Sequence, residues 1–352
     1  MISRATHIGK RALAVLALIC LMHQTGKSNT YYENLTLLMS LRGTWSFSIG
    51  ISDEWISPRY DDSNWETIRV PASWEDHGFN GYNGYAFYRK KITIPASYKG
   101  RMLYLKMGYI DDVDAVYLNG HKIGSTGSFP PNYVTAYNAN RTYYIPEQYI
   151  NFDGLNLIAV KVYDSQQAGG IVSGNIGLYG GKAAVNLEVN LQSQWKFKTG
   201  DDLARKEVDY NDSQWDNLFV PAKWEDQGYR DYDGYAWYRK TFVYQGNAAD
   251  KTMVVLMGKI DDIDQVYING TFVGETGTFP MKSGQRANSD QHYKAFRGYY
   301  FPASLLKKGQ KNTIAVRVLD IGGEGGIYEG PVGILTQTQY IEYWRKIKKS
   351  GN

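Results

Sequence analysis

The 352 residues, 43% hydrophobic and 21% charged, suffice for two globular domains and are too apolar for a disordered chain. The net charge of +4 owes part of its excess to the ends (Arg4, Lys10 and Arg11, then WRKIKK), and no basic stripe argues for nucleic acid. The 30 Tyr are unusually many, and Tyr suits core edges and polar binding faces alike.

The first element in chain order reads as an export signal over residues 1–30. Lys10 and Arg11 precede ALAVLALICLM, an apolar run of 11 residues, too short to span a membrane. An exported protein is expected, secreted, periplasmic or at the cell surface, with no transmembrane segment in the mature chain. Cys20, the only Cys, is a candidate lipid anchor, although Ile19 before it is a poor fit to the small residue such sites prefer. Once the signal is removed no disulfide is available.

The rest is one unit written twice. Trp45 recurs as Trp195, Trp74 as Trp224, Gly108 as Gly258 and Pro130 as Pro280, all at an offset of 150. Beyond Pro280 the second copy gains six residues, so that Asp164 matches Asp320. From Trp65 to Lys91, 15 of 27 positions are identical to Trp215–Thr241. Domains are expected at 31–184 and 185–340, followed by a basic tail, 341–352.

Within each copy the pattern is all-β. RMLYLKMG alternates, and AVYLNGHKIG and QVYINGTFVG are hairpins about Asn-Gly pairs, the preferred type I′ turn. LIAVKVYD places Ile158, Val160 and Val162 on one face. Short strands separated by Gly, Pro and Asn turns predict two tandem β-sandwich jelly rolls. The tail reads as a fraying strand or a short helix.

Four motifs invite chemistry. DDSNW and its twin place Asp61, Asp62 and Asp212 either in a turn ahead of a buried Trp or against calcium or a sugar. The simpler reading makes Trp45, Trp65, Trp195 and Trp215 core anchors. Asp111, Asp112 and Asp114 recur as Asp261, Asp262 and Asp264. Strand alternation puts Asp112 and Asp114 on one face, as partners for Arg89 and, in the second copy, Arg239, or as ligand or metal contacts. The Gly-rich runs GGIVSGNIG and GGEGGIYEGP lack a P-loop Lys, so close chain approach is the better reading, with Asp164 and Asp320 shaping the loop or binding.

The fourth motif is VPASWEDHGFNGYNGYAFYRK and its twin from Val220. Tyr88-Arg89 and Tyr238-Arg239 enter a strand. The preceding loop sets Trp74, Glu75, Asp76, Tyr82 and Tyr85, and again Trp224, Glu225, Asp226, Tyr232 and Tyr235, beside one another. Rings for sugar C–H faces and planar polar groups for hydroxyls are what carbohydrate binding requires, and packing alone is the competing reading. Asn80, Gly81 and Asn83 become Arg230, Asp231 and Asp233, so the loop tips differ on equal frames. Two sites of unequal preference, or one working site and one relic, would follow.

DDSNWETIRVPASWEDHGFNGYNGYAFYRKKITIP, GYIDDVDAVYLNGHKIGSTG and NLIAVKVYD strongly resemble the galactose-binding-like jelly roll at the N-terminus of family 2 glycoside hydrolases, the β-galactosidases and β-glucuronidases. IAVRVLDIGGEGGIYEGP is closer to the version in sialate O-acetylesterase-type proteins. The resemblance spans nearly all of both copies. In that family the aromatic loop leans over the pocket of a catalytic (β/α)₈ barrel. No such barrel follows here, and the Gly-Asp-Ser setting of the esterases is missing. The resemblance therefore implies a non-catalytic carbohydrate-binding protein of a glycan-degrading system, its two sites raising avidity for an oligo- or polysaccharide. The alternatives are an accessory subunit docking on a separate hydrolase chain, and a glycoside hydrolase or esterase with an unrecognised site. No cofactor is expected, a structural calcium being the one exception left open.

Overall fold

The computed structural model describes residues 35–181, 185–246, 251–280 and 291–350. The expected export signal with Cys20, and the stretch 281–290 where the second copy is longer, lie outside the described residues. The first copy runs through β1 (Thr36–Ser40), β2 (Gly43–Ile49), β3 (Glu66–Val70), β4 (Gly84–Thr93), β5 (Leu103–Asp111), β6 (Val113–Leu118), β7 (His121–Thr126), β8 (Asn140–Ile145), β9 (Leu155–Asp164) and β10 (Gly170–Gly180). The second repeats the order from β11 (Val189–Asn190) to β20 (Gly326–Thr336). Among the described residues each copy packs a four-stranded sheet on a six-stranded one. The orders are β1-β10-β5-β8 against β3-β2-β4-β9-β6-β7, and β11-β20-β15-β18 against β13-β12-β14-β19-β16-β17. All the pairings within these sheets are antiparallel. The all-β expectation holds.

Alternation explains which face is core. Ile158, Val160 and Val162 of β9 join Leu103, Leu105 and Met107 of β5 in the first interior, and Ile314, Val316 and Val318 join Met253, Val255 and Met257 in the second. The hairpin turns behave as their sequence requires: Asn119 and Gly120 have φ of 51° and 83°, the left-handed region that a type I′ turn needs. Trp45 and Trp195 are buried, each Nε1 donating to a carbonyl at 2.8 Å (Leu41 and Leu191). Trp65 is not a core anchor. It is half-buried on the outer face of the six-stranded sheet, 5.0 Å from Trp55, and Trp215 sits in the matching outer cluster with Trp237 and Tyr267.

Among the described residues, two buried or half-buried ion pairs tie a loop to a strand and two tie one sheet to the other, with partners other than those expected. Arg89 bonds Asp62 at 3.0 Å rather than Asp112 or Asp114, and its remaining N–H groups donate to the carbonyls of Trp55, Ser57 and Tyr60. Arg239 bonds Asp212 at 2.9 Å. Asp61 meanwhile accepts from Ser63 N at 3.0 Å, the Asx turn of the simpler reading. Asp114 pairs with Arg141 and Asp264 with Arg297, both at 2.8 Å. Alternation misled here because the chain leaves the four-stranded sheet at Asp111 and enters the six-stranded sheet at Val113, so the face count restarts between them.

Residues 341–350 of the basic tail are part of a helix, α1 (Gln337–Ser350). A capping box starts it: Gln339 N donates to Thr336 Oγ1 at 3.2 Å, and Thr336 N donates to Gln339 Oε1 at 2.8 Å. Trp344 packs 5.3 Å from Phe296. No helix among the described residues is long and apolar enough to cross a membrane.

Removing one partner of a buried pair strands the other charge. Asp114→Ala is expected to destabilise the first sandwich by about 3–5 kcal/mol, read as a shift of its denaturant unfolding midpoint. A change below ~1 kcal/mol would show that Arg141 finds water or another acceptor instead.

Candidate functional site

At one end of the first sandwich, loops 73–83, 127–139 and 165–169 surround the crossover Asp111–Val113 and the end of β9. The aromatic loop is braced by its own side chains. Trp74 and Trp224 have no exposed surface and lie in the two cores, so neither offers a face to a ligand. The reason is the Gly-rich loop, which lies flat on them. A Cβ at Gly169 would stand 2.1 Å from Trp74, and one at Gly325 2.1 Å from Trp224. Glu75 and Glu225 fasten the same loops: Gly169 N donates to Glu75 at 3.2 Å, and Gly325 N to both oxygens of Glu225 at 2.9 and 3.0 Å. Burial raises the Glu225 carboxyl to about 7. Tyr82 and Tyr232 pack on the Trp rings and donate their hydroxyls to the carbonyls of Tyr85 (2.8 Å) and Tyr235 (2.6 Å).

Asp76 is exposed at the loop tip, but its twin Asp226 is at a joint between the copies. Gly127 N donates to the Asp226 carbonyl at 2.8 Å, and the Arg230 guanidinium donates to the Thr135 carbonyl. The second copy's loop thus rests on the wall of the first copy's site.

Three carboxylates converge there. Oxygens of Asp111, Asp112 and Asp164 lie within 4.8 Å of one another. Both oxygens of Asp112 are engaged: Thr135 Oγ1 donates to one at 2.5 Å, and Ser165 N and Oγ to the other at 3.0 and 2.9 Å. These bonds outweigh burial and lower Asp112 to about 2. Burial, then the hydrogen bond and negative charge of Asp112, raise Asp111 to about 7. Asp164 is fully buried, accepts from Gln166 N at 3.1 Å through one oxygen and leaves the other unpartnered; burial raises it to about 6. Asp320 repeats this with Gly322 N at 2.9 Å and is likewise raised to about 6 by burial. A cation at this end would find its ligands in Asp111, Asp164 and the Asp112 oxygen that accepts from Thr135 alone.

Beside the acids stands an aromatic platform that the motif reading missed except for Tyr85. Tyr85 stacks on Phe129 (5.9 Å, 14°), Tyr163 lies 4.8 Å from Tyr85, and Tyr133 lies 5.6 Å from Tyr163. All four rings are half-buried. The Tyr133 hydroxyl is 3.0 Å from Ser165 Oγ, which joins the platform to the acids. The second copy keeps Tyr235 and Phe279 but has Leu319 where Tyr163 stands. Its Phe279 and Leu319 are buried with Ile263, and Tyr235 packs against them. The counterpart of Tyr133 lies outside the described residues. The signal that could have found the platform is Tyr163 becoming Leu319 across otherwise matched strands.

Residues 52–168 and 202–324 each match the family described as the β-galactosidase second all-β domain. A β-glucuronidase of Formosa agariphila is 28% identical over 121 residues, 29% of this chain and 11% of that protein. A β-galactosidase of Thermoanaerobacter pseudethanolicus is 32% identical over 114 residues, 31% of this chain and 14% of that one. The chain thus spans well under two thirds of these relatives' length. The Bacteroides uniformis β-glucuronidase crystal structure aligns over 80% of this chain and 27% of its own, at 17% identity and a TM-score of 0.36, a level of likeness that carries no functional argument.

The acid cluster has a pH signature. Asp111, raised to about 7, and Asp164, raised to about 6, keep protons that an unfolded chain releases near pH 3.8. Their effect is to lower stability as pH climbs from about 4 to about 7, whereas Asp112, lowered to about 2, loses its contribution only as pH falls below about 4. The urea midpoint of Asp111→Asn is expected to fall less steeply than that of the wild type across that upper window, and equal slopes would refute the assignment.

Proposed function

The chain belongs to the family of the β-galactosidase second all-β domain, which it carries twice, and on that basis we propose that it is a non-catalytic carbohydrate-binding protein of a glycan-degrading system. Its working site is the first copy. The observation that carries this reading is the platform of Tyr85, Phe129, Tyr163 and Tyr133 set against Asp111, Asp112 and Asp164. Half-exposed rings offer flat apolar faces to sugar C–H groups, and the acids and Ser165 offer acceptors and a donor to hydroxyls. The second copy, with Leu319 and a buried Phe279, serves as frame and as a brace for the first.

The acid pair itself favours binding over hydrolysis. One carboxyl near 7 and one near 2 is the split an acid and a base require. Yet Asp111 and Asp112 are neighbours in the chain with carboxylate oxygens within 4.8 Å of each other, not separated across a cleft by the ~5–10 Å of glycosidase carboxylates. Asp112 has no lone oxygen to attack or to activate water. An exported location accompanies this reading and rests on the N-terminal apolar run alone.

A second reading, docking on a separate hydrolase, is favoured by what the second copy's loop does: its Asp226 and Arg230 seat it on another β-sandwich. The matching first-copy loop has Asp76, Asn80 and Gly81 exposed.

A glycan array probed with wild type and Tyr163→Leu separates these readings. The substitution gives the first copy the residue the second already has, so folding is preserved. The wild type is expected to bind, and the variant to lose roughly fivefold in affinity, consistent with one aromatic contact of about 1 kcal/mol. A wild type that binds no glycan would favour the docking role.

A further inference from the structure

The two copies differ at the cation that rides on their platforms. In the second, Arg317 lies 4.2 Å from the Phe279 ring centroid and 5.0 Å from that of Tyr235. Its charge is answered from within the protein: Nε and an Nη reach Asp201 at 2.8 and 2.5 Å, and the other Nη reaches Gln265 Oε1 at 3.1 Å. In the first copy the same place is held by Lys161, whose Nζ lies 4.6 Å from the Phe129 centroid and 5.1 Å from that of Tyr85. Asp201 has become Ile51 and Gln265 has become Ala115. The cation and both rings remain, while both side chains that answered the charge are gone.

Among the described residues Lys161 makes no ion pair within 4.0 Å. The charges around it are few. Asp53, exposed at the start of a 3₁₀ turn, acts on it through space, and Lys122 adds a second positive charge. Burial lowers the pKa of Lys161, the sign expected of an ammonium without a bonded counter-ion.

We propose that the first-copy platform binds a glycan bearing an anionic substituent, a uronate carboxylate or a sulfate ester, with Lys161 reading the charge while Tyr85, Phe129 and Tyr163 hold the ring. The proposal rests on the sugar-binding reading of that platform and names its substrate class. A charge-assisted hydrogen bond on an aromatic floor supplies the specificity, since a neutral sugar leaves the ammonium unanswered.

The test uses the full chain and titration calorimetry with polygalacturonate, a sulfated carrageenan and neutral dextran. Three variants accompany the wild type: Lys161→Gln, Ile51→Asp and Arg317→Gln. Ile51 is exposed, so Ile51→Asp supplies the second copy's counter-ion without disturbing the core. The wild type is expected to bind one of the two anionic glycans more tightly than dextran, and which one identifies the substituent. Lys161→Gln and Ile51→Asp should each weaken that binding about tenfold or more with unchanged thermal midpoints, and Arg317→Gln should not. Anionic and neutral glycans bound alike, with Lys161→Gln and Ile51→Asp indistinguishable from wild type, would overturn the proposal and leave the sugar site standing. Binding to no glycan would remove both.

Discussion

One buried guanidinium holds the first copy's site together. Arg141 bonds Asp114 through Nε at 2.8 Å, the carbonyls of Ala136 and Ala139 through one Nη at 2.6 and 2.5 Å, and the Asp112 carbonyl through the other at 2.9 Å. It thereby ties a strand of the six-stranded sheet, the end of the loop that carries Phe129 and Tyr133, and the crossover between the sheets. A planar fork with five donors is the side chain that can do this. Tyr143 completes the set by donating to the second oxygen of Asp114 at 2.6 Å. Arg297, Asp264 and Tyr299 repeat the arrangement in the second copy.

On that common frame the copies differ in finish. The strands, the Trp brackets and the buried ion pairs are duplicated almost contact for contact. The differences concentrate where the frame meets solvent: Tyr163 against Leu319, Ile51 against Asp201, Asn80 against Arg230. The second copy answers its own cation and seals its platform, while its loop seats on its neighbour. The first leaves its rings half-exposed and its cation unanswered. A duplication whose halves are stabilised alike but finished differently at one surface is consistent with one half binding and the other supporting.

Several expectations from the aromatic loop changed for a single physical reason. Trp74, Tyr82 and Glu75 have the composition of a sugar cleft, but composition does not say which way a side chain faces. The Gly-rich loop, nearly a hundred residues away in the chain, lies on Trp74 and is fastened by Glu75. The groups best suited to binding therefore face inward, and of this loop's rings only Tyr85 is part of the platform. Its neighbours there come from another loop (Phe129 and Tyr133) and from β9 (Tyr163), which no local motif connects to it.

The chain alone determined the duplication, the all-β class, the hairpin turns at Asn119 and Asn269, and the turn ahead of Trp65, because these depend on repeat spacing, alternation and local backbone preference. Tertiary structure alone decided which acid meets which arginine, since the sheet crossover at Asp111–Val113 resets the face each residue occupies. It also decided that the acids and rings of one copy assemble at one end of the sandwich, and that the other copy's loop leans on them. Those outcomes depend on strands brought together across the fold, and pairing between distant strands leaves no trace in the order of residues along either one.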